Sequence, residues 1–388
     1  MRCLPADPNA AGTVIVAVSG GVDSAVAALS LVERGHDVQG LFMTNWDDAD
    51  AYCTAAADYQ DAREVCRILN IPLHRANFAA EYRQRVFQRF LQAYAAGETP
   101  NPDVLCNREI KFGVCLEHAR RLGAAWIATG HYARIEHVAG RSLLSKSLDP
   151  AKDQSYFLHA VEPAALSRLL FPLGGLTKVE VRRRARAAGL PVHDKPDSTG
   201  ICFVGERPFA QFLSRYLAAA PGPIETEDGR VIGTHGGLPF HTLGQRSGLK
   251  IGGRRGARPA PWFVAAKDAA RNALIVVQSP DHPLLLTERF DAAEINWLVA
   301  PDAAEFDCAV KTRHRQADLA CRLRVRADGT VAVTLRAPAR AVTPGQYAVF
   351  YDGDLCLGGG VIADRYRLGA VPGEPPIEYN APLAAEGS

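Results

Sequence analysis

The hexapeptide Ser19-Gly20-Gly21-Val22-Asp23-Ser24 follows the apolar run Val14–Val18 and opens an alanine-rich helical pattern from Ala25 to Glu33. A pair of glycines therefore falls where a strand meets a helix. Adjacent glycines let the backbone approach an anion without Cβ clashes, and the first N–H groups of the helix, with its dipole, favour negative charge there. The hydroxyls of Ser19 and Ser24 add donors. No Gly-Lys-Ser/Thr follows, so this is not a Walker loop and no lysine is built into it. Two glycines alone fit an empty strand-to-helix turn; the whole hexapeptide in this context favours a nucleotide.

From Thr13 to about Arg134, strand-like runs (Val14–Val18, Val38–Met43, Leu73–Phe78, Ala125–Thr129) alternate with helical stretches (to Arg34, Ala57–Leu69, Glu81–Ala95, Phe112–Leu122). That alternation predicts an α/β unit with a parallel sheet, and ligands of such sheets sit beyond the C-terminal strand ends. Ser19–Ser24, Met43–Trp46 and Thr129–Ala133 would converge there. Helical patterns continue through Pro163–Leu170 and Lys178–Gly189. Glycine density between Arg207 and Lys267 predicts a small, irregular central domain, and alternating Val310–Arg315, Ala320–Val325 and Val331–Arg336, with an Asp328-Gly329 turn, predict an antiparallel C-terminal β-barrel. The expected divisions are 1–207, 208–273, 274–368 and a mobile tail at 369–388.

The 388 residues are 47% apolar, enough for two or three packed cores, and no run approaches the length of a membrane span, so a soluble cytosolic protein is expected. A net charge of +2 confines any nucleic-acid partner to local clusters. Eight Lys and Arg against two acids between Cys308 and Arg340, with Arg322, Arg324 and Arg326 on one strand face, form such a cluster; a solvated barrel face is the equal alternative. Nine scattered cysteines do not make a disulfide framework.

Two of those cysteines have distinctive surroundings. In Thr99-Pro100-Asn101-Pro102-Asp103-Val104-Leu105-Cys106, prolines stiffen the approach to a helix start, and with Pro102 opening the helix Asp103 and Cys106 share one face. The helix terminus, Arg108 and Lys111 bias the thiol toward thiolate, although a small buried cysteine is the commoner outcome. Cys202 follows the flexible Asp197-Ser198-Thr199-Gly200. Two thiols on separate loops beside a nucleotide loop suggest that one delivers sulfur and the other takes up what remains.

The hexapeptide resembles the pyrophosphatase loop (PP-loop) of enzymes that cleave ATP between its α and β phosphates. With Thr99–Phe112, Thr129-Gly130-His131-Tyr132-Ala133-Arg134, Lys152–Phe157, Asp197–Phe203, Leu243-Gly244-Gln245-Arg246 and Pro344–Tyr351, the order of motifs is similar to that of bacterial tRNA-uridine 2-sulfurtransferases, the 2-thiouridylases of the wobble base, over nearly the full chain. The resemblance implies that Ala17, Val18, Ser19, Gly20, Gly21, Val22, Asp23, Ser24, Met43 and Gly130 hold ATP. It implies that Cys106 is the nucleophile, that Cys202 carries a persulfide, and that Asn101, Pro102 and Asp103 meet the target base. His131, Lys152, Asp153, Gln154, Arg313, His314 and Gln346 would contact tRNA. Thr44 stands where the family usually has lysine, and His314 where it has tyrosine.

On this reading AMP is placed on the uracil C2 oxygen, Mg²⁺ neutralises the leaving pyrophosphate without a dedicated protein cage, and persulfide sulfur replaces the activated oxygen. Asp103 is the candidate general base. The partners are the anticodon stem-loop of a tRNA and a sulfur-relay protein or cysteine desulfurase. Alternatives are another adenylating PP-loop enzyme, which needs neither cysteine, and a tRNA-binding protein without turnover.

Overall fold

The computed structural model describes residues 12–46, 55–138, 140–197, 209–217, 220–251 and 260–370. Cys202 and most of the 369–388 tail lie outside the described residues. Along the chain, strands β1 (Val14–Ala17), β2 (Val38–Thr44), β3 (Leu73–Asn77) and β4 (Trp126–Ala128) are followed by a hairpin of β5 (Ala133–Val138) and β6 (Arg141–Lys146), then by β7 (Leu169–Leu170). The first sheet is parallel, in the order β3-β2-β1-β4-β7. Leu169–Leu170, expected within a helix, is its fifth strand; the helix stops at Leu166. The two apolar residues are equally compatible with either element, and pairing with β4 decides between them.

Both faces of this sheet are covered, which explains the unbroken apolar run of β1: Val14, Ile15 and Val16 are all fully buried. Ile15, Leu41 and Ile127 feed one core, shared with the helices over residues 79–95 and 102–121. Val14, Val16, Phe42 and Ala128 feed the other, with α1 (Val22–Val32), α2 (Ala55–Ile68) and the helix Lys178–Ala187. The chain moves outward from β1 through β2 to β3, then returns to place β4 on the other side of β1. That reversal opens a crevice at the C-terminal ends of β1 and β4.

The glycine-rich central segment is organised by a four-stranded sheet of β8 (Gly222–Thr226), β9 (Val231–His235), β10 (Phe263–Asp268) and β11 (Ala273–Val277), in the order β10-β11-β8-β9. Beyond it β12 (Leu286–Trp297), β13 (Glu305–Lys311), β14 (Leu319–Val325), β15 (Val331–Arg340), β16 (Tyr347–Asp352) and β17 (Leu355–Arg365) form an antiparallel barrel that closes through β12 and β17. Closure brings the backbones of β17 and β12 together. A Cβ on Gly358 would lie 2.2 Å from Asn296 O, and one on Gly360 2.3 Å from Ala293 O. The β5–β6 hairpin extends the barrel sheet through β17, so the first unit contributes two strands to the last.

The expected arginine stripe is present in position but not in free charge. Register puts Asp307 opposite Arg322 and Glu305 opposite Arg324. Arg322 lies 3.5 Å from Glu305, Arg324 3.6 Å from Glu305, and Arg326 meets both carboxylate oxygens of Asp291 at 2.9 and 3.0 Å. A count along residues 308–340 misses these acids because they belong to neighbouring strands. The solvated, ion-paired barrel face is the better account.

Candidate active site

The strand-to-helix turn forms as its sequence predicts. Gly20 has φ +76°, the left-handed region, and a Cβ there would sit 2.3 Å from Asp58 O. Val18 N donates to Leu41 O, following Ala17 at the end of β1, and Gly21 caps α1, whose first residues are Val22, Asp23 and Ser24. The Ser24 hydroxyl donates to Gly21 O at 3.0 Å and accepts from Ser19 N at 3.1 Å, with Ser19 Oγ 3.2 Å away, so the two serines fix the loop's shape. Gly130, just past β4, packs on the first turn of α1. A Cβ there would lie 2.6 Å from Ser24 N, so any larger residue would push into the loop. Met43 is near the end of β2. These expected nucleotide residues thus line the crevice ends of three adjacent strands.

The second group lies on one long helix. Asn101 is its N-cap, accepting from Asp103 N at 3.1 Å, and Pro102 is its first residue; this helical stretch runs on to Arg121 and begins ten residues before the expected Phe112. Pro102 ends the preceding loop yet suits a helix start, where its missing N–H costs nothing. Residues Cys106–Val114 take π-helical geometry, a form concentrated at functional sites. Asp103 and Cys106 are three residues apart in the first turn. Cys106 is 2% exposed in the core shared with Leu105, Ile110 and Phe112. Burial raises the Asp103 carboxyl above the ordinary aspartate range, and Lys111 and His314 oppose that rise. Phe112 links this helix to the crevice, with its ring centroid 5.7 Å from that of His131.

Several residues expected to meet tRNA are occupied with internal bonds. His131 is buried, 2.6 Å from Thr129 Oγ1, and burial, with a smaller contribution from Lys111, drives its pKa well below the usual histidine value. Asp153 accepts from Ser147 N and Ser155 Oγ, and Gln154 Oε1 accepts from Tyr132 N. Arg313 donates to Leu243 O and Ala341 O, and His314 Nε2 is 2.8 Å from Asp153 O. Gln346 Nε2 donates to Thr99 O at 2.5 Å, two residues before the Asn101 cap. Lys152 pairs with Asp197 at 2.6 Å.

Six side chains at the loop, Lys195, Asp58, Asp61, Lys178, Asp197 and Tyr132, were not among the expected site residues. Lys195 Nζ donates to Gly20 O at 2.9 Å and pairs with Asp58 and Asp61. Lys178 Nζ meets both oxygens of Asp23, at 2.7 and 2.8 Å, and lies 2.6 Å from Asp197; Tyr132 also donates to Asp23. Burial raises the Asp197 carboxyl, but hydrogen bonds from Lys152 and Lys178 outweigh it and bring the pKa down to about 2. They arise from distant segments, and only one signal could have found any of them: Lys178 opens a helix, where a cation opposes the dipole.

The described "tRNA methyl transferase HUP domain" family matches residues 12–206, the "tRNA methyl transferase PRC-barrel domain" residues 210–278, and the "Aminomethyltransferase beta-barrel domain" residues 287–362. Among curated relatives, the tRNA-specific 2-thiouridylase MnmA of Chromohalobacter salexigens is 56% identical over 357 residues, 91% of this chain and 93% of that protein. The protein of the same name from Hahella chejuensis is 54% identical over 357 residues, 91% of this chain and 98% of its own. That of Paracidovorax citrulli is 54% identical over 360 residues, covering 90% and 95%. With identity this high across all three structural units, the chain belongs to the family of tRNA-specific 2-thiouridylases.

Proposed function

We propose that this protein is an ATP-dependent tRNA-uridine 2-sulfurtransferase acting on the wobble uridine. The observation that carries the reading is the crevice at the β1/β4 reversal: a glycine anion loop stands there, and Phe112, on the helix of Asp103 and Cys106, packs against His131 beside Gly130. Full-length similarity to curated 2-thiouridylases supports the same assignment.

The uracil C2 oxygen attacks the α-phosphorus of ATP, the bond to the β-phosphate oxygen breaks, and pyrophosphate leaves with the electron pair. Backbone N–H groups of the Ser19–Ser24 loop and the α1 N-terminus bind the phosphates. Mg²⁺ would come with the triphosphate as its counter-ion and supply charge neutralisation to the leaving group; Asp23, the one carboxylate on the loop, is already engaged by Lys178 and Tyr132. By direct attack, the terminal sulfur of a Cys202 persulfide adds at C2 and AMP departs, and Cys106 then attacks Cys202 Sγ to break the remaining S–S bond and free the thiocarbonyl, leaving a Cys106–Cys202 disulfide. If Cys106 attacks that persulfide, the second sulfur is released as hydrosulfide and a Cys106–Cys202 disulfide remains, which an external thiol must reduce with two electrons. Asp103 takes up a proton beside Cys106. A sulfur-relay protein or cysteine desulfurase reloads Cys202.

The test is incubation of protein, unmodified tRNA, ATP and Mg²⁺ with a cysteine desulfurase and cysteine to load the persulfide, followed by mass spectrometry of the nucleosides. Wild type is expected to form 2-thiouridine, and C106S and C202S to lose persulfide-dependent product, while C202S still consumes ATP when tRNA is present. Equal product from all three proteins would overturn the sulfur-transfer scheme.

A further inference from the structure

The helix of Asp103 and Cys106 also carries Lys111, and its geometry decides which side that lysine takes. In an α-helix a residue five places beyond Cys106 would stand about 140° around the axis from it. Residues Cys106–Val114 are instead π-helical, and a π turn closes from i to i+5, which brings Lys111 back toward the side of Cys106. Asp103, three residues before Cys106, is on that side as well. The electrostatics agree. The Lys111 charge is felt by the Asp103 carboxyl on its own helix and by the imidazole of His131 in the crevice, whose ring packs on Phe112. One ammonium therefore reaches both the thiol's neighbour and the nucleotide crevice.

That ammonium has no partner. Lys111 is half-buried, yet it forms neither a hydrogen bond nor an ion pair with any described residue. Lys146, Lys152, Lys178, Lys195 and Lys311 each pair with a carboxylate. Glu109, two places before Lys111, is taken up by Arg85, Arg89 and Arg108. A partly desolvated cation without a counter-charge costs stability, and a cost of that kind is kept where an anion is to bind.

Resting on the reaction proposed above, we propose that Lys111 is a catalytic residue of its sulfur-transfer half: the ammonium contacts the phosphate of the adenylated uridine and carries the charge of AMP as it leaves. The bond that forms is C2–S and the bond that breaks is C2–O. The electron pair departs on the former uracil oxygen, now part of AMP. Lys111 keeps its protons throughout and undergoes no redox change. Lys178 and Lys195 stand at the glycine loop with carboxylates of their own, so Lys111 is the lysine on the sulfur-bearing side that is free for this later leaving group.

The test is a single turnover of wild type, K111M and K111R with unmodified tRNA, ATP, Mg²⁺, cysteine desulfurase and cysteine, in which pyrophosphate and 2-thiouridine are timed separately at several pH values. K111M is expected to release pyrophosphate within about twofold of the wild-type rate but to form 2-thiouridine about a hundredfold more slowly, so that adenylated tRNA accumulates. K111R should recover at least about a tenth of the wild-type thiolation rate. Raising the pH should not restore K111M, whereas a lysine that only eased ionisation of Asp103 or Cys106 would become dispensable once both ionise unaided. Thiolation by K111M within about threefold of wild type, equal slowing of both products, or recovery at high pH would overturn the inference. Wild-type protein that releases no pyrophosphate with tRNA and ATP would instead overturn the proposed function.

Discussion

At Asp103, burial and the nearby charges of Lys111 and His314 pull in opposite directions, and burial prevails. A base works only when deprotonated, so the acid limb of kcat/KM is expected above the ordinary aspartate range, and Lys111→Met, which removes an opposing charge, should move it to higher pH. A limb that stays in place would take Asp103 out of the rate-determining proton step. Asp197 behaves in the opposite sense. Its folded pKa, about 2, lies below the ordinary aspartate value of 3.8, so its contribution to stability is full above 3.8 and is lost as pH falls toward 2. The stability advantage of wild type over D197N in urea should therefore be larger at about pH 5 than at about pH 3. Such residues were unequally legible in the sequence. Ser19–Ser24 and Asn101–Cys106 declare themselves by local spacing, whereas Lys178 and Lys195 acquire partners 155 and 175 positions away, which no window along the chain contains.

The elements follow the same division. β1 and α1 are legible because an apolar run, two glycines and an alanine-rich stretch state the turn locally. β7 is two residues long and exists only because β4 offers it an edge, so no pattern within it could mark a strand. The helix beginning at Pro102 is fixed by its cap, and Asn101→Ala should cost about 1 kcal/mol in chemical denaturation. Gly130→Ala has a sharper effect, because its Cβ would press to 2.6 Å on Ser24 N. It is expected to weaken ATP binding more than it lowers the melting temperature; unchanged ATP affinity would remove Gly130 from the nucleotide site.

Across the whole molecule, all three units brace one short segment. Lys267 of the central sheet donates to Gly97 O, Gln346 of the barrel to Thr99 O, and Asn101 caps the helix that follows. Gln346→Ala should lower kcat while leaving the KM for ATP nearly unchanged, since the segment it holds leads to Asp103 and Cys106. The barrel face makes the contrasting case: with its arginines already paired to Glu305, Asp307 and Asp291, R322Q/R324Q should alter tRNA affinity by less than about twofold. A larger, salt-sensitive loss would restore the stripe as an RNA contact. The barrel itself was readable from its alternating strands, but its pairing with the β5–β6 hairpin was not, because register between segments as far apart as Ser145 and Leu355 has no local signature.

That shared hairpin bears on how the protein can be taken apart. A cut between the parallel sheet and the barrel would break the pairing of Ser145 with Leu355 and the bond from Lys146 N to Asp354 O, baring the outer border of β6, and unpaired strand borders of that kind recruit other chains. Either half expressed alone should clump, and supplying both halves together should restore solubility.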